Sequence, residues 1–273
     1  MITIQQIQDT TLINEKSKAW ALDNLDYLNS TNKLLGSSIK VEKGESAGYY
    51  TSILYMQPHD KVSTITLCAG ASASGCAKPC LIGSGMLGMT TGQNAATRRT
   101  ILFILDTVRF YEMLMKECIS LYKKHGDKLA VRLNGTTDID FSEFIASIPF
   151  IRFYDYTKVY ARLLKNKLAN YDLTYSGSAY TEKAIQRTAR AVTAGYRVAI
   201  AFNTGEKAGE FKIPAGIADF DSTDLRFTDA HTLGALKYKG GSKAKRAATS
   251  NDQIFFYTLK TYNNLQNLIA TDV

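Results

Sequence analysis

From Val62 onward the chain repeats one rhythm: a short β-branched or aromatic run, a break of polar residues or glycine, then a longer stretch with helical spacing. That rhythm commits a chain to βα units, because neighbouring parallel strands can be joined only by a crossover that returns along the sheet. The predicted strands are Val62–Leu67, Leu129–Asn134, Ile151–Tyr156, Tyr171–Ser176, Arg197–Phe202 and Leu233–Lys237. Helices are predicted between them at Ala95–Lys124, Phe141–Ser147, Thr157–Asn166 and Thr181–Ala194, each with Gly, Ser, Thr, Asp or Asn near an end. Residues 1–60 follow no such pattern. An amphipathic helix near Ile4–Leu28 and strand-like pieces at Ser38–Glu42 and Tyr49–Met56 read as an N-terminal extension packed on a main domain of residues 61–273. Polar residues stand just past the predicted strand ends, as in Asn134-Gly135-Thr136, Asp155-Tyr156-Thr157-Lys158 and Ser176-Gly177-Ser178. This favours an α/β fold of the incomplete (β/α) TIM-like barrel type over a flat dinucleotide-binding sheet.

Directly after the first predicted strand comes Cys68-Ala69-Gly70-Ala71-Ser72-Ala73-Ser74-Gly75-Cys76-Ala77-Lys78-Pro79-Cys80. Small residues between thiols let the backbone approach closely, and amide N–H groups in such a turn can donate to sulfur. Three readings stay open. The first is an iron–sulfur cluster, most readily [4Fe-4S], held by Cys68, Cys76 and Cys80 with one iron open or otherwise ligated. The second is a zinc ion completed by a fourth ligand such as His59. The third is three reduced cysteines. Cys118 is the remaining thiol, and could complete a metal set. However, it falls on the stripe Ile101, Ile104, Val108, Tyr111, Met115, Cys118, Leu121, whose spacing is that of a buried helix face.

Later segments carry a resemblance. In order they are Val131-Arg132-Leu133-Asn134-Gly135-Thr136-Thr137-Asp138, Phe153-Tyr154-Asp155-Tyr156-Thr157-Lys158, Asn170-Tyr171-Asp172-Leu173-Thr174-Tyr175-Ser176, Val198-Ala199-Ile200-Ala201-Phe202, the stretch from Asp219 to Asp229, and Leu236-Lys237-Tyr238-Lys239-Gly240. With the cysteine loop, this series resembles the bacteriophage family catalogued as gene product eighty-eight, over about residues 60–245. The resemblance implies a phage-encoded viral protein, a setting in the cytoplasm of the infected host cell and an iron–sulfur centre, but no particular reaction. Ala69 and Leu81 depart from the family pattern, which usually has a proline and a tyrosine at those places. A looser similarity links the loop to the partial barrels of radical S-adenosylmethionine enzymes. Their cysteines are separated by three and then two residues, whereas these are separated by seven and then three. S-adenosylmethionine is therefore not expected as a cofactor.

Other residues could serve the same site. Asp138, Asp155 and Lys158 follow predicted strand ends and could bind substrate or act around a cluster; Arg98 and Arg99 could meet an anionic ligand or the cluster's sulfides. Asp219, Asp221, Asp224 and Asp229, with Arg226, read either as a hard-cation site or as a polar turn capped by its own aspartates. No phosphate-binding loop or nucleophile elbow occurs, which removes ATPase and serine-hydrolase readings. The net charge of +8 and pI near 9.1 favour polyanions. Two readings stay open: a nucleic-acid partner contacted through Lys237, Lys239, Lys243, Lys245 and Arg246 around Tyr238, or a plain basic surface with that segment as a solvated loop. The apolar runs are too short to cross a bilayer and the first residues show no secretory signal, so no membrane association is expected. Enzyme or binding protein is not decided by these residues, nor is the oligomeric state.

Overall fold

A computed structural model describes residues 1–30, 33–36, 47–77, 80, 85–202, 212–230, 232–238 and 256–271. The expected strand piece at Ser38–Glu42 lies outside them. Helices are α1 (Ile4–Asp9), α2 (Glu15–Asp23), α3 (Leu25–Asn29), α4 (Thr90–Leu105), α5 (Thr107–His125), α6 (Ser142–Ala146), α7 (Tyr160–Lys165), α8 (Glu182–Thr193) and α9 (Leu259–Thr271). Strands are β1 (Leu35–Gly36), β2 (Tyr50–Leu54), β3 (Leu129–Arg132), β4 (Arg152–Thr157), β5 (Tyr171–Ser176), β6 (Val198–Phe202), β7 (Ala218–Asp219) and β8 (Leu233–Lys237). They form one eight-stranded, mostly parallel sheet in the order β1-β2-β3-β4-β5-β6-β8-β7. The class is α/β. Strand order follows chain order from β1 to β6, without the reversal of a doubly wound sheet.

The chain divides into two compact units, neither of them continuous in sequence. Unit 1 comprises residues 1–69, 85–153 and 168–170; unit 2 comprises residues 70–84, 154–167 and 171–273. In unit 1, β1 pairs antiparallel with β2, and β2 and β3 run parallel with Ser52 opposite Val131. Its core includes Phe110, Leu114, Phe141 and Ile145, with the rings of Phe103 and Phe110 edge to face at 5.1 Å. In unit 2, β6 lies parallel to both β5 and β8, and β8 carries β7 on its other edge. Helix α8 buries Ala184, Ile185, Thr188, Ala189 and Ala191, at the spacing of one helical face, and packs on α9.

Three expectations need correction. Val62–Leu67 is not a strand: Val62 accepts from Asn14 N–H, Thr64 N–H donates to Leu12 and Leu67 N–H donates to His59, so its backbone is satisfied by loops and one bridge to Ile13. Tyr50–Leu54, expected in the extension, is the strand that pairs with β3. The predicted helix Ala95–Lys124 is two helices that meet at Asp106, where φ is −141° and ψ 61°. The Asp106 carboxylate accepts from Arg109 N–H and starts α5 afresh. The seven-residue stripe therefore does not form one face. Val108 is 72% exposed, and Phe110, Leu114 and Cys118 are the buried side of α5.

Candidate functional site

In unit 1 Cys68 sits beyond the carboxyl ends of β2 and β3. It forms a parallel bridge with Asp138, whose N–H donates to Leu67 O at 3.0 Å. Its sulfur accepts from the His59 N–H at 3.3 Å and lies 3.9 Å from Thr136 O. His59 has φ 53°, a left-handed value that histidine adopts only when its surroundings impose it. Here Leu67 N–H binds the His59 carbonyl and the Asp60 carboxylate stands 2.9 Å from Nδ1, so both ends of the residue are held. The ends of β2 and β3 are clamped together by backbone. Gly135 N–H donates to Leu54 O, and a Cβ on Gly135 would collide with that carbonyl and with Ile53 and Tyr55. Sequence reading passed over Gln57, which is buried and whose amide donates to Gln93 and Thr97 of α4. Its cue was a glutamine directly before Pro58 and after a strand.

In unit 2 the segment from Gly70 to Cys76 coils in successive turns over the ends of β4 and β5. Ser74 N–H and hydroxyl both donate to Gly70 O, Cys76 N–H donates to Ala71 O, and the Ser178 hydroxyl donates to Ser74 O at 2.8 Å. Gly70 is packed so closely on Lys158 that a Cβ would stand 2.8 Å from its side chain. Gly75 has φ 70° and faces the Tyr180 ring, where a Cβ would come within 2.5 Å. Both strain and overlap oppose a side chain there. Gly75→Ala is expected to cost about 1–3 kcal/mol and to speed alkylation of Cys76 in the folded protein. Equal alkylation rates and an unchanged urea midpoint would contradict this account.

Cys80 is within electrostatic reach of Tyr238. Tyr238 follows β8, its N–H donates to Phe202 O, and its phenol is pushed up to about 12 by burial and secondarily by the charge of Cys80. Lys158 reaches Ser176, donating to its carbonyl at 3.3 Å and its hydroxyl at 3.0 Å. Asp155 is not past a strand end. Strand β4 runs to Thr157, and Asp155 is buried within it, accepting from the Tyr171 hydroxyl at 3.2 Å.

The remaining predicted residues fall elsewhere. Cys118 is fully buried in unit 1, and burial raises its thiol to about 12, a core group held protonated. The Arg98 guanidinium lies 4.3 Å from the centre of the Tyr27 ring, and Arg99 donates to Tyr55 O, its pKa lowered by burial and then by Arg98. The aspartate stretch is a polar turn: Asp221 N–H donates to Asp219, Lys237 N–H donates to Asp221 at 2.7 Å, and Asp229 pairs with Arg226. Lys239, Lys243, Lys245 and Arg246 lie outside the described residues. Among the described residues, no group of three or more His, Cys, Asp and Glu side chains is placed to hold a metal ion. No described helix is long and apolar enough to cross a membrane.

The fold and this geometry define a class: a mixed α/β protein with three partly exposed thiols, two of them, Cys68 and Cys76, in segments beyond the carboxyl ends of sheet strands. A family model described as Gene product 88 matches residues 25–253, and the chain belongs to that phage family. No curated protein and no solved structure matches it.

Proposed function

We propose that the protein binds an iron–sulfur cluster, of the [4Fe-4S] type, through Cys68, Cys76 and Cys80, and works in the cytoplasm of the infected host. The observation that carries this reading is the division among four free cysteines: three are partly exposed, while the fourth is sealed in the core. Thiolates suit iron, and an amide N–H already donates to the Cys68 sulfur, the kind of bond that stabilises a charged sulfur ligand. The finer fold reading, an incomplete (β/α) barrel, is supported by the sequential strand order, and such barrels carry their sites at the carboxyl ends of the strands. When bound, a cluster with three protein ligands supplies one-electron transfer or an open iron for a small ligand. This chain's residues would hold it: Gly70 and Gly75 keep the loop docked, Ser178 anchors it, and Lys158 packs its backbone and Cβ on Gly70 while its ammonium is held by Ser176.

Anaerobic purification followed by iron and sulfide analysis and a visible spectrum tests the proposal. A brown protein containing both is expected, with iron lost in Cys76→Ser and retained in Cys118→Ser. Bound zinc without sulfide, or iron that survives Cys76→Ser, would overturn it.

A further inference from the structure

Residues 158–197 hold eight lysines and arginines against two carboxylates, a net of +6 in a chain whose whole charge is +8. Both carboxylates are engaged, Asp172 by Arg197 and Glu182 by the amide of Asn264 at 3.3 Å. Helices α7 and α8 of unit 2 carry most of the cations outward: Arg162 and Lys165 on α7, Lys167 just after it, and Lys183, Arg187 and Arg190 on α8. The two helices flank one strand. The Tyr160 ring of α7 meets the Tyr175 ring of β5 edge-on at 5.6 Å, and Arg187 of α8 is within electrostatic reach of the same ring.

We infer that this face of α7 and α8 binds the phosphate backbone of nucleic acid. On α8 the cations recur at four and then three residues, so they share one side of the helix and span about 10 Å. That span equals the axial rise of about three nucleotides at about 3.4 Å each along one strand. Gln186, between the cations, and Thr193, one turn past Arg190, are also outward and can donate to phosphate or sugar oxygens. The apolar side of α8 is already spent on the core, so the helix has nothing to insert among lipid chains. This surface uses other residues than the Lys237–Arg246 segment expected from the sequence, and it does not depend on the cluster.

The test compares two triple variants of equal charge: Lys183→Ala, Arg187→Ala, Arg190→Ala on α8, and Lys123→Ala, Lys124→Ala, Lys128→Ala in unit 1. All six positions are outside the core, and circular dichroism verifies folding. Anisotropy of a labelled oligonucleotide, duplex in one arm and single-stranded in the other, is followed against salt. The α8 variant is expected to lose low-salt affinity and to flatten the log–log salt dependence by about 3, with the unit 1 variant close to wild type. Three results would overturn the inference: no binding by wild type at low salt, equal losses in both variants, or binding to anionic vesicles without binding to either oligonucleotide. Iron and sulfide content is unaffected by any of these outcomes, so this surface and the cluster stand or fall separately.

Discussion

Arg226→Met is expected to destabilise the protein by about 3–5 kcal/mol. Arg226 is 1% exposed, its guanidinium lies 4.0 Å from the centre of the Phe220 ring, and Asp229 approaches at 3.1 Å. It also donates to Thr223 O. Methionine would fill much of the volume but leave the Asp229 carboxylate without its counter-charge in a part-buried place, and that uncompensated charge dominates the cost. Asp229→Asn combined with Arg226→Met removes both charges and should recover most of the loss. Urea unfolding with constant slope is the measurement. A double variant no more stable than the single would show that packing on Phe220, not charge, sets the penalty.

Gly234→Ala is expected to be nearly as damaging, at about 3 kcal/mol, the upper end of what overpacking costs. A Cβ at this position would overlap the ring of Phe220, which is 2% exposed and already covered by Arg226. Gly234 sits inside β8, opposite Ala199 on one side and Ala218 on the other, so the backbone cannot withdraw without breaking pairs. Phe220→Leu should relieve Gly234→Ala if the clash is the cause, and a purely additive double variant would count against that. Because Tyr238 follows β8 and senses the charge of Cys80, the same substitution should alter how readily Cys80 is alkylated.

Most strands after Leu129 were legible in the sequence. Tyr171–Ser176 and Leu233–Lys237 have the predicted bounds, and β3, β4 and β6 differ from prediction by one or two residues at their ends. Val62–Leu67 misled because β-branched composition reports fitness for an extended backbone, not the presence of a partner strand. Thr64, Ile65 and Thr66 are exposed, and the segment is held by residues about fifty positions away, which no local pattern encodes. The break at Asp106 was hidden because apolar spacing resumes after it almost in register. The cue was the Asp-Thr pair itself, an N-cap inside a helical stretch. At the site, the thiols and glycines were readable as chemistry. The amide from His59 and the buried Gln57 were not, because each depends on a backbone conformation or a helix packed against it. Asp155 already lies inside the predicted strand Ile151–Tyr156, and it reads as a rim residue only when the polar run Asp155–Lys158 is treated whole as the strand's end.

Asn170 belongs to unit 1, yet it is reached only after the chain has passed through β4 and α7. Its amide donates to the carbonyls of Ile145, Ile148 and Ile151, and its own carbonyl accepts from Phe153 N–H. A growing polypeptide released from the ribosome tunnel in sequence order therefore presents the end of α6 and the start of β4 before Asn170 is there. The Ile145 and Ile148 carbonyls already accept from Ile148 and Ile151 N–H, whereas Asn170 brings the bonds to Ile151 O and Phe153 N–H. Those last two bonds wait for a later segment. Unit 1 thus cannot close behind a ribosome as a finished module, and the order of synthesis obliges it to wait for chain that belongs mostly to its neighbour.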